Sequence, residues 1–158
     1  MTAAMLRWKP IFAAAAAAAL VAILGATATD LGPWYQNLTK PWWQPPDWLF
    51  GPAWTLIFTL TAIAGIIAWD SARDRAEREW IVAAFALNGF LNVLWSVLFF
   101  RLKRPDWSVV EVAALWLSIA LMILVVSRSN KIASWLLLPY LAWVTFAGIL
   151  NLAVVRLN

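Results

Sequence analysis

Polar and apolar positions in this chain fall into blocks and do not alternate. Five blocks approach the roughly 20 mostly apolar residues that cross a bilayer's hydrocarbon. They cover residues 10–28, 51–69, 80–100, 109–127 and 133–155. Glu111 is the single Asp, Glu, Lys or Arg inside them. The pattern predicts an all-α integral membrane protein of one domain, 1–158, with five transmembrane helices and a long structured loop between the first two. The other connections are short. "DSARDRAERE" predicts a charged helical extension with mixed ion pairs, while "RLKRPD" and "SRSNK" force antiparallel neighbours.

The first block has a rival reading. Arg7 and Lys9 ahead of it and "ATATD" behind it also fit a signal peptide cleaved after Ala28. Its apolar stretch is longer than a usual signal core, so a retained span is expected. Small residues, Ala13 to Ala19, suit it to close helix packing. Five spans place the termini on opposite sides. Seven cations (Arg7, Lys9, Arg73, Arg75, Arg78, Arg128, Lys131) fall on the N-terminal side and five (Lys40, Arg101, Lys103, Arg104, Arg156) on the other. The positive-inside rule therefore leans toward the N-terminus inside.

Composition agrees. Hydrophobic residues make up 64% of the 158 and charged residues 13%, about half the charged share of ordinary soluble domains. With no Cys there is no disulfide, thiolate nucleophile or iron–sulfur site, and with no His the usual metal ligand and neutral-pH base are missing. The net charge of +4 is scattered at span ends, which argues against a nucleic-acid partner. No nucleophile, base and oxyanion hole assemble, so a hydrolase has no support.

Three stripes at helical spacing could carry function. Asn88, Asn92, Trp95 and Phe99 share one face of the third span. Amides in a bilayer need a partner or a cavity, so interhelical bonding and a pocket both fit them. The fifth span repeats the arrangement with Tyr140, Trp143, Ala147 and Asn151, where Ala147 leaves room beside Trp143 and Pro139 predicts a kink. The second offers Trp54, Phe58, Thr61 and Gly65. Close helix packing also explains these two stripes. Glu111 reads as an interfacial carboxylate paired with a nearby Arg or Lys. Trp8, Trp69, Trp80, Trp107 and Trp135 sit at span ends as an aromatic belt.

The first loop is the most unusual segment. "PWWQPPDW", Pro41 to Trp48, holds three tryptophans and three prolines. Its adjacent prolines rule out a regular helix. Trp42 and Trp43 would point to opposite sides of an extended segment, so that one roofs a pocket and the other meets lipid, with the prolines stiffening the roof.

"WYQNLTKPWWQPPDWLFGPAW" resembles the signature W-Y-x-x-L-x-K-P-x-W-x-P-P of the tryptophan-rich sensory protein family, TspO, also called translocator protein or peripheral-type benzodiazepine receptor. "LNGFLNVLWSVLFF" and "LLLPYLAWVTFAGILN" are similar to its third and fifth spans. The resemblance implies a five-helix bundle, commonly a homodimer, with a pocket below the first loop. Family members bind protoporphyrin IX, haem and benzodiazepine-type ligands, and some bacterial ones are reported to degrade protoporphyrin in light. It implies a multi-pass protein of a bacterial envelope or an organellar outer membrane. Its pocket residues would be Tyr35, Trp54, Asn92, Trp95, Trp143 and Ala147, to which Trp42, Trp43 and Asn88 are added from the reading above. Trp54 and Trp143 match the tryptophans linked to the photochemistry.

No cofactor is obligatory in this reading; the partners are the bilayer and a porphyrin or other flat apolar ligand. Propionates could reach Lys40. Without His or Cys, haem would bind as a planar hydrophobe, with Met122 and the two tyrosines among the few side chains resembling haem ligands. The family's cholesterol motif keeps Leu150 and Arg156 but has Leu152 in place of its Tyr, which argues against cholesterol. The expected function is a porphyrin sensor or regulator, with light-dependent degradation as its enzymatic extension. The rivals are a porphyrin, sterol or lipid transporter and an interaction scaffold. Alternating access is disfavoured by five spans without inverted repeats.

Overall fold

The computed structural model describes residues 3–158, with side chains from Trp8 onward, so the Arg7 side chain lies outside the described residues. The backbone is helical almost throughout: α1 Ala3–Ala28, α2 Pro33–Asn37, α3 Asp47–Ser71, α4 Arg75–Ser96, α5 Pro105–Ser129, α6 Lys131–Leu136 and α7 Leu138–Leu157. Five helical segments are long and apolar enough to cross a membrane, and they begin at Trp8, Asp47, Arg75, Pro105 and Lys131. The chain is a multi-pass membrane protein.

Local chemistry explains where the helices start beyond the hydropathy blocks. Asp74 caps α4 by accepting the Glu77 backbone N–H at 2.8 Å, which adds a turn outside the apolar block. Arg73–Glu77 and Arg75–Glu79 supply the expected ion pairs there. Pro105 opens α5, where a missing N–H is harmless. Pro139 removes a donor that would have bonded back to Trp135, and the fifth span breaks there into α6 and α7 about Leu137.

The third span ends in a π turn, Val97–Arg101, in which the Leu102 N–H reaches back to the Val97 carbonyl. The wider turn buries both Phe99 and Phe100. Lys103, at φ 55°, then reverses the chain.

The bundle core lies where α4 and α5 face α7, with Leu115, Ile119, Met122, Val126, Tyr140 and Val144 nearly inaccessible. α1 packs on α3, α4 and the π turn and buries little of its own surface. Gly89 lets it come close: a Cβ at that position would stand 3.0 Å from Val21.

Polar side chains tie the core together. Asn88 donates to the Ser118 hydroxyl at 2.9 Å and Asn92 to the Tyr140 phenol at 2.9 Å. Asn151 is a hub. It accepts from Trp95 Nε1 at 3.1 Å and Ser108 Oγ at 2.8 Å, and donates to the Pro105 carbonyl at 3.0 Å. Glu111 departs from the expected interfacial ion pair. It is 8% exposed, and both its carboxyl oxygens are buried without a partner, because α5 turns it inward with Ser108, Leu115 and Ser118.

Candidate functional site: an aromatic cavity under the first loop

A cavity of about 970 Å³ opens between α1, α3, α4 and α7, near the upper end of the range for small-molecule sites. Its walls are unlike one another. α3, α4, the π turn and α7 contribute Trp54, Phe58, Trp95, Phe99 and Trp143, whereas α1 contributes Ala15, Ala18, Ala19, Ala22 and Gly25. Aromatic side chains form one wall and nearly bare backbone the other.

The aromatic wall is held in defined geometry. Trp54 stacks on Phe58 at 5.3 Å and meets Trp143 edge-on at 6.3 Å and Tyr140 at 6.0 Å. Trp95 stacks on Phe99 at 5.3 Å, and its indole is fixed by the bond to Asn151. Such pairs add roughly 0.5–1.5 kcal/mol each beyond area burial. The wall is therefore largely rigid before any ligand arrives.

The mouth is polar. Tyr35, on the short helix α2, packs on Phe100 and donates its phenol hydrogen to Asp47 Oδ1 at 2.9 Å. Gln44 Nε2 donates to the same phenol oxygen at 3.1 Å and the Lys40 ammonium sits 4.3 Å from the Tyr35 ring centre. Burial first, and the neighbouring Asp47 second, push the Tyr35 phenol up to about 12. The loop is tied down elsewhere. Asn158 clasps the Thr39 backbone through two hydrogen bonds of 2.9 and 3.0 Å, and Arg101 donates to the Thr27 carbonyl.

Tyr35, Trp54, Asn92, Trp95, Trp143 and Ala147 all line the cavity. Three other candidates do not. Asn88 is committed to Ser118, so for it the interhelical bond is what the fold uses. Trp42 is 95% exposed and turned outward. Trp43 points the other way, as strand-like geometry requires, but rests edge-on against Phe146 at 5.9 Å behind Trp143. The roof over the cavity is thus Tyr35, Gln44, Asp47 and Trp48, and the adjacent Trp42 and Trp43 only brace and anchor it. Met122 is buried in the core, and Tyr140 is buried behind Trp54 and Asn92 without lining the cavity itself. Among the described residues no group of His, Cys, Asp and Glu could hold a metal ion.

Gln44, Asp47 and the α1 alanines escaped the sequence reading. The alanines did carry a signal, since positions 15, 18, 19 and 22 follow helical spacing. Gln44 and Asp47 carried none, because their roles depend on where the loop folds back.

The family model described as TspO/MBR matches residues 11–157. The chain belongs to that family. It is 43% identical over 132 residues to the tryptophan-rich protein TspO of Archaeoglobus fulgidus, covering 84% of each chain. To the tryptophan-rich sensory protein of Cereibacter sphaeroides it is 36% identical over 144 residues, 87% of this chain and 88% of the relative. To the translocator protein of Homo sapiens it is 29% identical over 126 residues, 79% of this chain and 75% of the relative. The matched region takes in the loop signature, the aromatic wall and all but the first residues of α1, so in this TspO/MBR chain the cavity belongs wholly to the family's domain.

Proposed function

We propose that this TspO/MBR protein binds a tetrapyrrole, protoporphyrin IX or haem, against its aromatic wall and acts as a membrane sensor or regulator of porphyrin. The observation that carries this is the pairing of Trp54 and Trp143 with the Trp95–Phe99 stack around one apolar cavity. A flat apolar ring matches such faces by stacking and by area. Lys40 at the mouth suits a propionate. Haem would bind as a planar hydrophobe. Tyr35 is the one tyrosine on the cavity, and a phenol held to about 12 resists becoming the phenolate that iron would need.

Binding is tested by titrating protoporphyrin IX into purified protein and following tryptophan quenching. Trp143→Phe is expected to weaken the quenching at least several-fold, and unchanged quenching removes Trp143 from the site. Light-dependent degradation is the enzymatic extension, with Trp54 and Trp143 the side chains that would meet the excited ring. Porphyrin absorbance under illumination decides it. Pigment loss with wild type but not with the Trp54→Phe, Trp143→Phe double variant supports turnover, and equal bleaching in both means ordinary photodamage. Porphyrin flux across proteoliposomes would instead revive the transporter.

A further inference from the structure

The cavity is deeper than a planar ring requires. Along α1 its lining runs from Thr29 at the mouth to Ala15, which is fourteen steps or about 21 Å at 1.5 Å per residue. Along α3 it runs from Asp47 to Ile63, about 24 Å by the same rise. The aromatic wall occupies the upper part. Below Phe58 the lining is Ala15, Ala18, Ala19, Thr59, Ala62 and Ile63, a sleeve without a single aromatic ring whose one hydroxyl, on Thr59, is turned back to the Thr55 carbonyl at 2.7 Å.

Half of a bilayer, from headgroup to midplane, measures about 20–22 Å. The cavity therefore has the depth of one leaflet, polar at the end where a headgroup would lie and apolar for the length of an acyl chain. The mouth also carries both signs of charge. Lys40 pairs with no carboxylate among the described residues. At Asp47, Oδ1 accepts from both Tyr35 and Gln44, and Oδ2 has no donor among the described residues. An ammonium without a carboxylate partner over the face of the Tyr35 ring, and a half-engaged carboxylate at its phenol, complement a zwitterion.

We propose that the cavity is a binding site for a single-chain zwitterionic phospholipid of the lysophosphatidylethanolamine class. Its phosphate lies toward Lys40 as a point-charge contact, its ammonium donates to Asp47 Oδ2, and its acyl chain fills the alanine sleeve. The small side chains of α1 are then what keep the sleeve open. This inference does not rest on the porphyrin reading. The two ligands share the upper cavity and exclude one another there.

The test is native mass spectrometry of the full chain released from mild detergent after incubation with equal amounts of two lysolipids of sixteen carbons, one with an ethanolamine and one with a glycerol headgroup. Wild type is expected to retain the ethanolamine lipid at least tenfold over the anionic one. Asp47→Asn should bring that ratio to within about twofold of unity, and Lys40→Gln should lower retention of both. Ala19→Phe should abolish retention of either lipid while the thermal midpoint is kept. Ala62→Phe, on the opposite wall, repeats this arm if the α1 variant does not fold. Equal retention of both headgroups by wild type overturns the zwitterion site. Undiminished retention in the sleeve variants, or no retention at all, overturns the acyl sleeve.

Discussion

Replacing Glu111 with methionine should make the protein more stable. Neither carboxyl oxygen of Glu111 touches solvent or finds a hydrogen-bond partner. Its neighbours on α5 are Ser108, which donates to Asn151 and Pro105, and Ser118, which is engaged by Asn88 and Leu115. A polar group buried without a partner costs roughly 1–3 kcal/mol, and a charged one more. Methionine keeps nearly the same length and volume, fills irregular gaps and carries no such penalty. A gain of roughly 1–3 kcal/mol corresponds to about 2–12 °C in thermal midpoint for a domain of this size. Glu111→Ala is the control, because it removes the same oxygens but leaves a void, and should fall below the methionine variant by about 2–5 kcal/mol. The chain has no cysteine, so thiol-reactive dyes do not report its unfolding, but its thirteen tryptophans do. A fluorescence-detected thermal ramp in nanodiscs is the assay. A methionine variant less stable than wild type by 1 kcal/mol or more would refute the reasoning, since it would mean that the carboxyl has a partner in the membrane, such as an ordered water.

Other consequences are equally open to measurement. Asn151→Leu strands Trp95 Nε1 and leaves Ser108 Oγ and the Pro105 carbonyl only their bond to each other, and should lower stability by roughly 1–3 kcal/mol in the same thermal ramp. Tyr140→Phe loses one interhelical hydrogen bond, which in membranes averages about 0.6 kcal/mol, so its midpoint should move by only a few degrees. Tyr35 is held as the neutral phenol, with its folded value raised from 10.0 to about 12. Its contribution is therefore complete below pH 10 and lost as pH climbs toward 12. Midpoints of wild type and Tyr35→Phe measured from pH 8 to 11.5 should converge only at the alkaline end. Gly89→Leu would drive a side chain into Val21 and push α1 from α4. Protoporphyrin quenching should then weaken along with the midpoint, and tight binding in that variant would mean that α1 is not a wall of the site.

The membrane class and five spans were legible because long apolar blocks in a chain with few charges leave no other solution. The aromatic half of the site was legible because helical periodicity puts Trp54 with Phe58 and Trp143 with Ala147 on inward faces. The edges of the spans were not, since Asp74 and Pro105 act through backbone capping, which hydropathy does not register. Periodicity placed Asn88 and Asn92 on one stripe without separating their roles. One turn along α4 moves the amide from Ser118, deep in the α5 contact, to Tyr140 at the cavity's back. Trp42 and Trp43 were correctly set on opposite sides. The register deciding which of them would meet the cavity is fixed by where Tyr35, Gln44 and Asp47 converge, a long-range contact no local pattern encodes.

Trp42 and Trp48, 95% and 72% exposed, flank the rigid Pro45–Pro46 step, and Trp48 also edges the cavity. Indoles at that level prefer the headgroup layer, so the roof is moored to the membrane as well as to the protein. Lifting it would drag two indoles through the interface, whereas sliding a molecule sideways past the thin alanine wall would not. Bilayer thickness and headgroup packing thereby help to set how firmly the roof is held, and the same chain should hold it differently in a thin membrane than in a thick one.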